Sequence, residues 1–436
     1  MLPAVPSGQL PDDQSTNAVA ARIVATAIDV LRYDTPMYDA SAYLRSRAGK
    51  EAVIAFGTRR LLRAARRLMK SKGYEAAHGM LMDMLDRLPP PSDLVGRLRT
   101  EAPDAVIVSP VTHFGAEQAG LMLAARSLGI PVIYSMYSWD NLTNKGMLRP
   151  LPDASIVWNE SHRDECARLH GLDPSRVLLS GAPGYDPWFE TRASAARDAF
   201  CRTVGLDPDV PYILYTCSSV SIAGGSETEL VERWIRTLRA HPDPRVSRLG
   251  VLVRPHPQNA GVWSAFDTAR FGNVVIYPRA GAIPFAGSAR EEFYASIEHS
   301  MAVLGINTSA MVEAAVIDRP ILALEDPAFG EGHLGTPHYR QLTTYDFLIR
   351  TKTVEENVAA IARLAAADDT LLRYSREGNR RFIAEFVRPC GIDKPAAIAW
   401  ADAVEAALPI ARRSAGARGQ ATTALDPRLH VAALVH

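Results

Sequence analysis

Residues Val303 to Leu324 read VLGINTSAMVEAAVIDRPILAL. Val303 to Ile306 is a short unbroken apolar run, the pattern of a buried strand. Asn307, Thr308 and Ser309 are residue types that cap helices, and a helix start offers unpaired backbone N–H groups at the positive end of its dipole. Glu313 follows Ser309 by four residues, about one turn along the same face. Arg319-Pro320 ends the helix, and Ile321 to Leu324 reads as the next buried strand. The stretch is therefore a strand–loop–helix–strand unit whose loop suits an anion, a phosphate above all. An ordinary capped helix in an α/β protein would carry the same pattern.

Working outward, apolar strands alternate with helices on both sides. Ala105–Val108, Ile130–Tyr134, Ser155–Trp158 and Val177–Gly181 are strands, interleaved with helices over Glu117–Leu128 and Glu160–Leu169. After a Pro- and Asp-rich stretch at 205–211 the alternation restarts with strands Tyr212–Tyr215, Val251–Val253 and Val274–Tyr277 and helices Ser226–Ala240 and Glu291–Ser300. This spacing predicts an α/β protein of two doubly wound, Rossmann-like domains facing across a cleft. The expected boundaries are a disordered N-terminus at 1–18, an acceptor-side domain at 19–204, a nucleotide-donor domain at 205–390, a C-terminal helix at 391–408 and a flexible tail at 409–436.

Composition narrows the function. The 436 residues carry 48 Lys plus Arg and 48 Asp plus Glu, so no global basic field for nucleic acid exists. The four cysteines stand far apart with no metal spacing and read as reduced thiols of a cytoplasmic protein. The first residues lack a basic-then-apolar signal pattern, and no apolar run is long enough to span a bilayer. Thr58 to Lys72, TRRLLRAARRLMKSK, interleaves cations with leucines. It fits either a solvated domain helix or a peripheral contact with the inner face of the plasma membrane.

In a doubly wound sheet the informative positions lie just past the strand ends. Arg254-Pro255-His256-Pro257 follows one strand, with both prolines stiffening the backbone. A guanidinium fork and an imidazole beside the 307–309 loop make a coherent anion pocket. Cys217-Ser218-Ser219, with Gly224-Gly225 behind, follows the first strand of the second half and puts two hydroxyls within reach. Glu331 to Thr336 is a lower-ranked loop that would close over a donor. In the first half, His113 and Asp140 each follow a strand, and either could serve as general base. No Asp-x-Asp occurs, and His333 and His338 lack flanking carboxylates at ligand spacing, so no metal site is expected.

Arg254-Pro255-His256-Pro257, then Thr308-Ser309 and Glu313-Ala314-Ala315, resembles the C-terminal half of GT-B-fold glycosyltransferases. The likeness is to the bacterial surface-polysaccharide branch, which includes CDP-glycerol glycerophosphotransferases and the sialyl- and Kdo-transferases. Ser138 to Gly146 and Val157 to Glu160 resemble uncharacterised bacterial members of the same superfamily, and in all the likeness spans roughly residues 100 to 350. It implies that His256, Thr308 and Ser309 hold the donor's phosphate and Glu313 the ribose. Asn307 stands where relatives often place other residues, so the nucleotide is left open. The expectation is a metal-independent glycosyltransferase without cofactor, moving a sugar-like group from a nucleotide-sugar donor to a glycan or lipid-linked acceptor. UDP-sugar 2-epimerases share the fold and are the alternative, followed by a degenerate, non-catalytic transferase.

Overall fold

The computed structural model describes residues 16–54, 58–114, 118–219, 222, 227–282, 287–330, 333–419 and 431–433. The chain forms two compact units, 1–183 with 386–436 and 184–385. Each unit is built on a parallel sheet, so the doubly wound α/β class holds for both.

The first unit's sheet runs β1 (Ala105–Val108), β2 (Val132–Ser135), β3 (Ala154–Val157) and β4 (Val177–Leu179) in sequence order, with β11 (Val431–Ala433) outside β1. β1 and β3 are buried along their whole length, which is why they read as continuous apolar runs rather than alternating ones. Beside the sheet, helices Thr16–Arg32, Thr58–Lys72 and Tyr74–Asp86 share a core of Ile28, Leu31, Leu62, Ala65, Ala77 and Leu81. This decides the Thr58–Lys72 segment. Leu61, Leu62, Leu68 and Met69 turn into that core, so its apolar side is not available to insert into lipid, and Arg59, Arg60, Arg63, Arg67, Lys70 and Lys72 point outward.

The C-terminal helix departs from expectation. It runs from Ala396 to Gly419, past Pro409, where a flexible tail was expected to begin. Ala403, Ala407 and Ala411 recur every four residues and pack on Ala105, Ile107, Ile133 and Ile156 of the sheet. That continuous small-residue stripe, with the Arg412–Asp104 ion pair at 2.9 Å, offsets the backbone bond that a proline removes. The remainder of the expected tail, 420–430 and 434–436, lies outside the described residues, as do 1–15 of the expected disordered N-terminus.

The second unit's sheet has the order β10-β9-β8-β5-β6-β7. The strands are β5 (Tyr212–Thr216), β6 (Gly250–Arg254), β7 (Val274–Ile276), β8 (Ala302–Gly305), β9 (Ile321–Leu324) and β10 (Leu348–Thr351). From β5 the chain winds one way through β6 and β7, then returns to the other side for β8 to β10. The order therefore reverses between β5 and β8, the place where doubly wound sheets hold ligands. The expected seam at 204/205 lies twenty-one residues away from the boundary at 183/184. The reason is helix Arg197–Val204, whose Phe200 ring sits 6.4 Å from Tyr212 and 5.8 Å from His299. Arg197 then ties the 205–211 stretch down through the Pro208 and Val210 carbonyls, both at 2.6 Å.

Candidate functional site

The carboxyl edge of the second sheet gathers most of the sequence-predicted donor residues. β5 and β6 end in register, Thr216 opposite Arg254, and β5 pairs with β8 through Tyr215 opposite Leu304. Ser218, Ser219, Arg254, His256, Thr308 and Ser309 thus leave the same edge from three adjacent parallel strands. β6 and β8 are two strand spacings apart, about 10 Å. That separation suits an extended ligand with more than one anionic group better than a lone phosphate.

Gly305 makes the approach of these loops possible. A Cβ there would lie 3.0 Å from Thr308 Cγ2 and 3.1 Å from Thr216 Oγ1. Thr308 Oγ1 accepts the Ala310 N–H at 3.3 Å, whereas Ser309, at the N-cap position, makes no side-chain cap bond and is exposed. The cap expected of the 307–309 triplet thus comes from Thr308. The helix it starts, Ala310–Val316, is only seven residues long, so a long-helix dipole is not on offer.

Arg254 is buried at the end of β6. One arm donates to Glu292 Oε1 at 3.1 Å and the guanidinium lies over the Phe293 ring at 4.9 Å. Its Nη1 is buried and has no hydrogen-bond partner among the described residues. Burial is the main cause that lowers its pKa, with Glu292 opposing. His256 Nδ1 accepts the Gln258 N–H at 3.2 Å, which leaves the proton on Nε2 as a donor, and burial keeps the ring below its ordinary pKa and so neutral. The loop after β7 locks this segment. Gly281, at φ +69°, approaches Pro257 so closely that a Cβ would lie 2.8 Å from its Cα.

Ser218 is fully buried beside Glu227. Its backbone N–H donates to both oxygens of Glu227, at 3.0 and 3.2 Å, and Tyr215 OH meets the same carboxyl at 3.2 Å. Burial outweighs these bonds and pushes Glu227 up to about 8. Glu313 is buried too, with Oε2 partnerless, and burial likewise pushes it up to about 8. It is thus largely protonated at neutral pH in the ligand-free protein. Asn307 Nδ2 lies 3.1 Å from His338 Nε2. Of the lower-ranked loop, Glu331-Gly332 lies outside the described residues, as does Gly224-Gly225; His333 is buried, with Nε2 2.9 Å from the Asp326 carbonyl.

On the first unit, His113 and Asp140 follow the adjacent strands β1 and β2. His113 is exposed, and its pKa is lowered first by partial burial and then by the charge of Lys145, with Asp140 opposing. Asp140 accepts the Ser138 hydroxyl at 2.7 Å and lies 3.4 Å from Lys145 Nζ. Beneath them is a fully buried ion pair, Arg149 with Asp29. Arg149 also donates to the carbonyls of Ala25 (3.1 Å), Val111 (3.2 Å), Met147 (2.6 Å) and His113 (2.9 Å), while Asp29 Oδ1 accepts the Met147 N–H at 2.8 Å.

Sequence reasoning did not single out Glu227, Glu292, Lys145 or the Asp29–Arg149 pair. Asp29 carried a legible signal, a lone acid in the apolar helix VATAIDVL, where a charge must find a partner. Glu292 and Glu227 had none, because their partners arrive from other elements. Among the described residues, no group of three or more His, Cys, Asp or Glu side chains is disposed to hold a metal ion. No described helix is long and apolar enough to cross a membrane.

No family model matches the sequence, and no curated protein is similar to it. Solved structures do resemble it at the level of the chain trace. The UDP-GlcNAc 2-epimerase of Neisseria meningitidis, bound to UDP-GlcNAc, is 14% identical, with 72% of this chain and 80% of that one covered at a TM-score of 0.48. The UDP-GlcNAc 2-epimerase of Methanocaldococcus jannaschii is 17% identical over 70% of this chain and 81% of its own, at 0.44. A variant of the wall teichoic acid polymerase TagF is 12% identical over 83% and 98%, at 0.39. Likeness this distant assigns no substrate.

Proposed function

We propose that the protein is a glycosyltransferase-like enzyme that takes a sugar-like group from a nucleotide-activated donor and passes it to a glycan or lipid-linked hydroxyl acceptor. The reading rests on one observation. Two buried polar atoms, Arg254 Nη1 and Glu313 Oε2, have no hydrogen-bond partner among the described residues, and both lie on or just behind the carboxyl ends of β6 and β8. Leaving buried polar atoms unpaired costs about 1–3 kcal/mol each, a cost that a ligand's own oxygens and hydroxyls remove. In this reading Arg254 and neutral His256 meet the donor's phosphates, with Ser218, Ser219, Thr308 and Ser309 adding hydroxyl bonds. Glu313 takes the ribose hydroxyls, losing its proton as they donate to it. Phosphate charge is offset by these side chains, and no metal is invoked. On the first unit, either His113 or Asp140 removes the acceptor's proton as the donor carbon is attacked.

The test is a thermal-shift screen with UDP, CDP, CMP and GDP, followed by incubation of the matching nucleotide-sugar with and without lipid-linked acceptors. A shift that Arg254→Met and His256→Ala remove supports the site. Conversion of the nucleotide-sugar with no acceptor present would replace transfer with isomerisation. Unaltered shifts in both variants would move the binding site elsewhere.

A further inference from the structure

We infer that the first unit carries an anion site of its own, in which Arg47, His113 and Lys145 take a phosphate group. It stands on that unit's residues alone and does not depend on what the second unit binds.

The segment from Leu142 to Gly146 is held by cationic and phenolic side chains of the N-terminal helices. Arg32 donates to the Leu142, Lys145 (3.3 Å) and Gly146 (3.0 Å) carbonyls, Tyr33 to Lys145 (2.8 Å), Tyr38 to Thr143 (2.6 Å) and Arg47 to Asn144. Five consecutive carbonyl oxygens are consumed, four facing guanidinium groups and that of Thr143 the Tyr38 phenol. Arg32 and Arg47 form no ion pair among the described residues. Arg149 is paired with Asp29, and Lys145 lies 3.4 Å from Asp140.

Two of these cations have donors to spare. Arg47 lies 5.5 Å over the Phe114 ring, and its Nε is buried without a partner among the described residues. Lys145 Nζ meets Asp140 only at 3.4 Å, beyond the roughly 2.7–2.9 Å of a charge-assisted bond, while Asp140 is already engaged by Ser138. His113 faces solvent between Thr112, whose carbonyl accepts the Gly146 N–H, and Phe114, whose ring lies under Arg47. A fork, an ammonium and an imidazole carried by these touching segments would match a tetrahedral oxyanion, which accepts from all three. Bound there, a phosphate would also raise the imidazole's pKa and make it a better proton acceptor.

The experiment titrates inorganic phosphate into the full-length protein while the His113 ring resonances are followed by NMR, assigned with His113→Gln. The expected result is a saturable shift at His113, with its pKa raised in the bound state. Lys145→Gln, which removes only the side chain and leaves the Tyr33 bond to the backbone, weakens phosphate by at least about fivefold. Asp140→Asn tightens it, because a competing carboxylate is gone. Arg254→Met on the second unit leaves the His113 response as it was. No saturable shift at His113, equal affinity in both first-unit variants, or loss of the response in Arg254→Met would each overturn the site.

Discussion

Gly305 and Thr216 face each other across the reversal point of the second sheet, so close that a Cβ on Gly305 would lie 3.1 Å from the Thr216 hydroxyl and 3.2 Å from its carbonyl. Thr216 Oγ1 in turn donates to the Leu304 carbonyl at 3.2 Å, which clamps the ends of β5 and β8 together. Gly305→Ala must push one strand end away, since two of its neighbours are on Thr216 and the third is the Thr308 methyl. The expected result is a loss of about 1–3 kcal/mol of stability. Nucleotide-induced thermal shifts should weaken beyond that loss. An alanine variant with wild-type melting and shifts would mean that the two strand ends have more freedom than their packing indicates.

Glu292 competes with a ligand for Arg254. The pair is 3.1 Å apart, with Arg254 buried and Glu292 about one-third exposed. Removing the carboxylate leaves a buried guanidinium seeking an anion, so Glu292→Gln lowers stability by about 1 kcal/mol but strengthens binding of a nucleoside diphosphate. Calorimetric titration of the best nucleotide from the screen checks the sign. Weaker binding in Glu292→Gln would make the glutamate an orienting partner and not a competitor.

Two buried carboxyls govern stability against pH. Burial raises Glu227 and Glu313 from the ordinary 4.5 to about 8 in the folded protein. Between those values the unfolded chain has lost both protons and the folded protein has kept them, so ν_U − ν_N is negative and stability falls as pH rises. Their contribution is fully present below about pH 4.5 and is lost by about pH 8, with a slope of roughly 1.4 kcal/mol per pH unit for each group. Melting temperatures across this window should therefore decline, and Glu313→Gln should flatten the decline. An identical slope in Glu313→Gln would show that its carboxyl titrates alike in both states.

The Asp29–Arg149 pair is fully buried and supports the backbone from which His113 projects. Arg149→Met strands Asp29 and its backbone partners, at a cost of about 3–5 kcal/mol. Asp29→Asn combined with Arg149→Met should recover part of that loss, because no lone charge remains. Urea unfolding of the two single variants and the double variant forms the cycle that reads the coupling.

The strand-and-helix alternation was legible because both faces of a parallel sheet are buried, which writes continuous apolar runs such as YILYT and VLVR into the chain. β10 was missed since LIRT carries an exposed arginine, which masks an edge strand that is buried elsewhere. The helix past Pro409 was missed because local propensity forbids it, and only the alanine stripe lying on the sheet overrules the proline. Thr58–Lys72 shows the reverse limit. Its amphipathic pattern fixes which side is apolar, but not whether protein or lipid covers it.

By itself the sequence determined the two-fold repetition of doubly wound sheets and the strand ends from which Arg254, His256, Thr308, His113 and Asp140 depart, because backbone period and strand termini are local properties. Tertiary structure alone decided that Glu292 holds one arm of Arg254, that Glu227 grips the Ser218 N–H, that burial raises the pKa of the Glu313 carboxyl, and that Arg47 lies over Phe114 while Lys145 faces Asp140. Those outcomes, of which the Arg47–Phe114 and Lys145–Asp140 contacts are the ones beside His113, depend on desolvation and on charges brought from distant segments. Neither quantity is defined until the chain has folded.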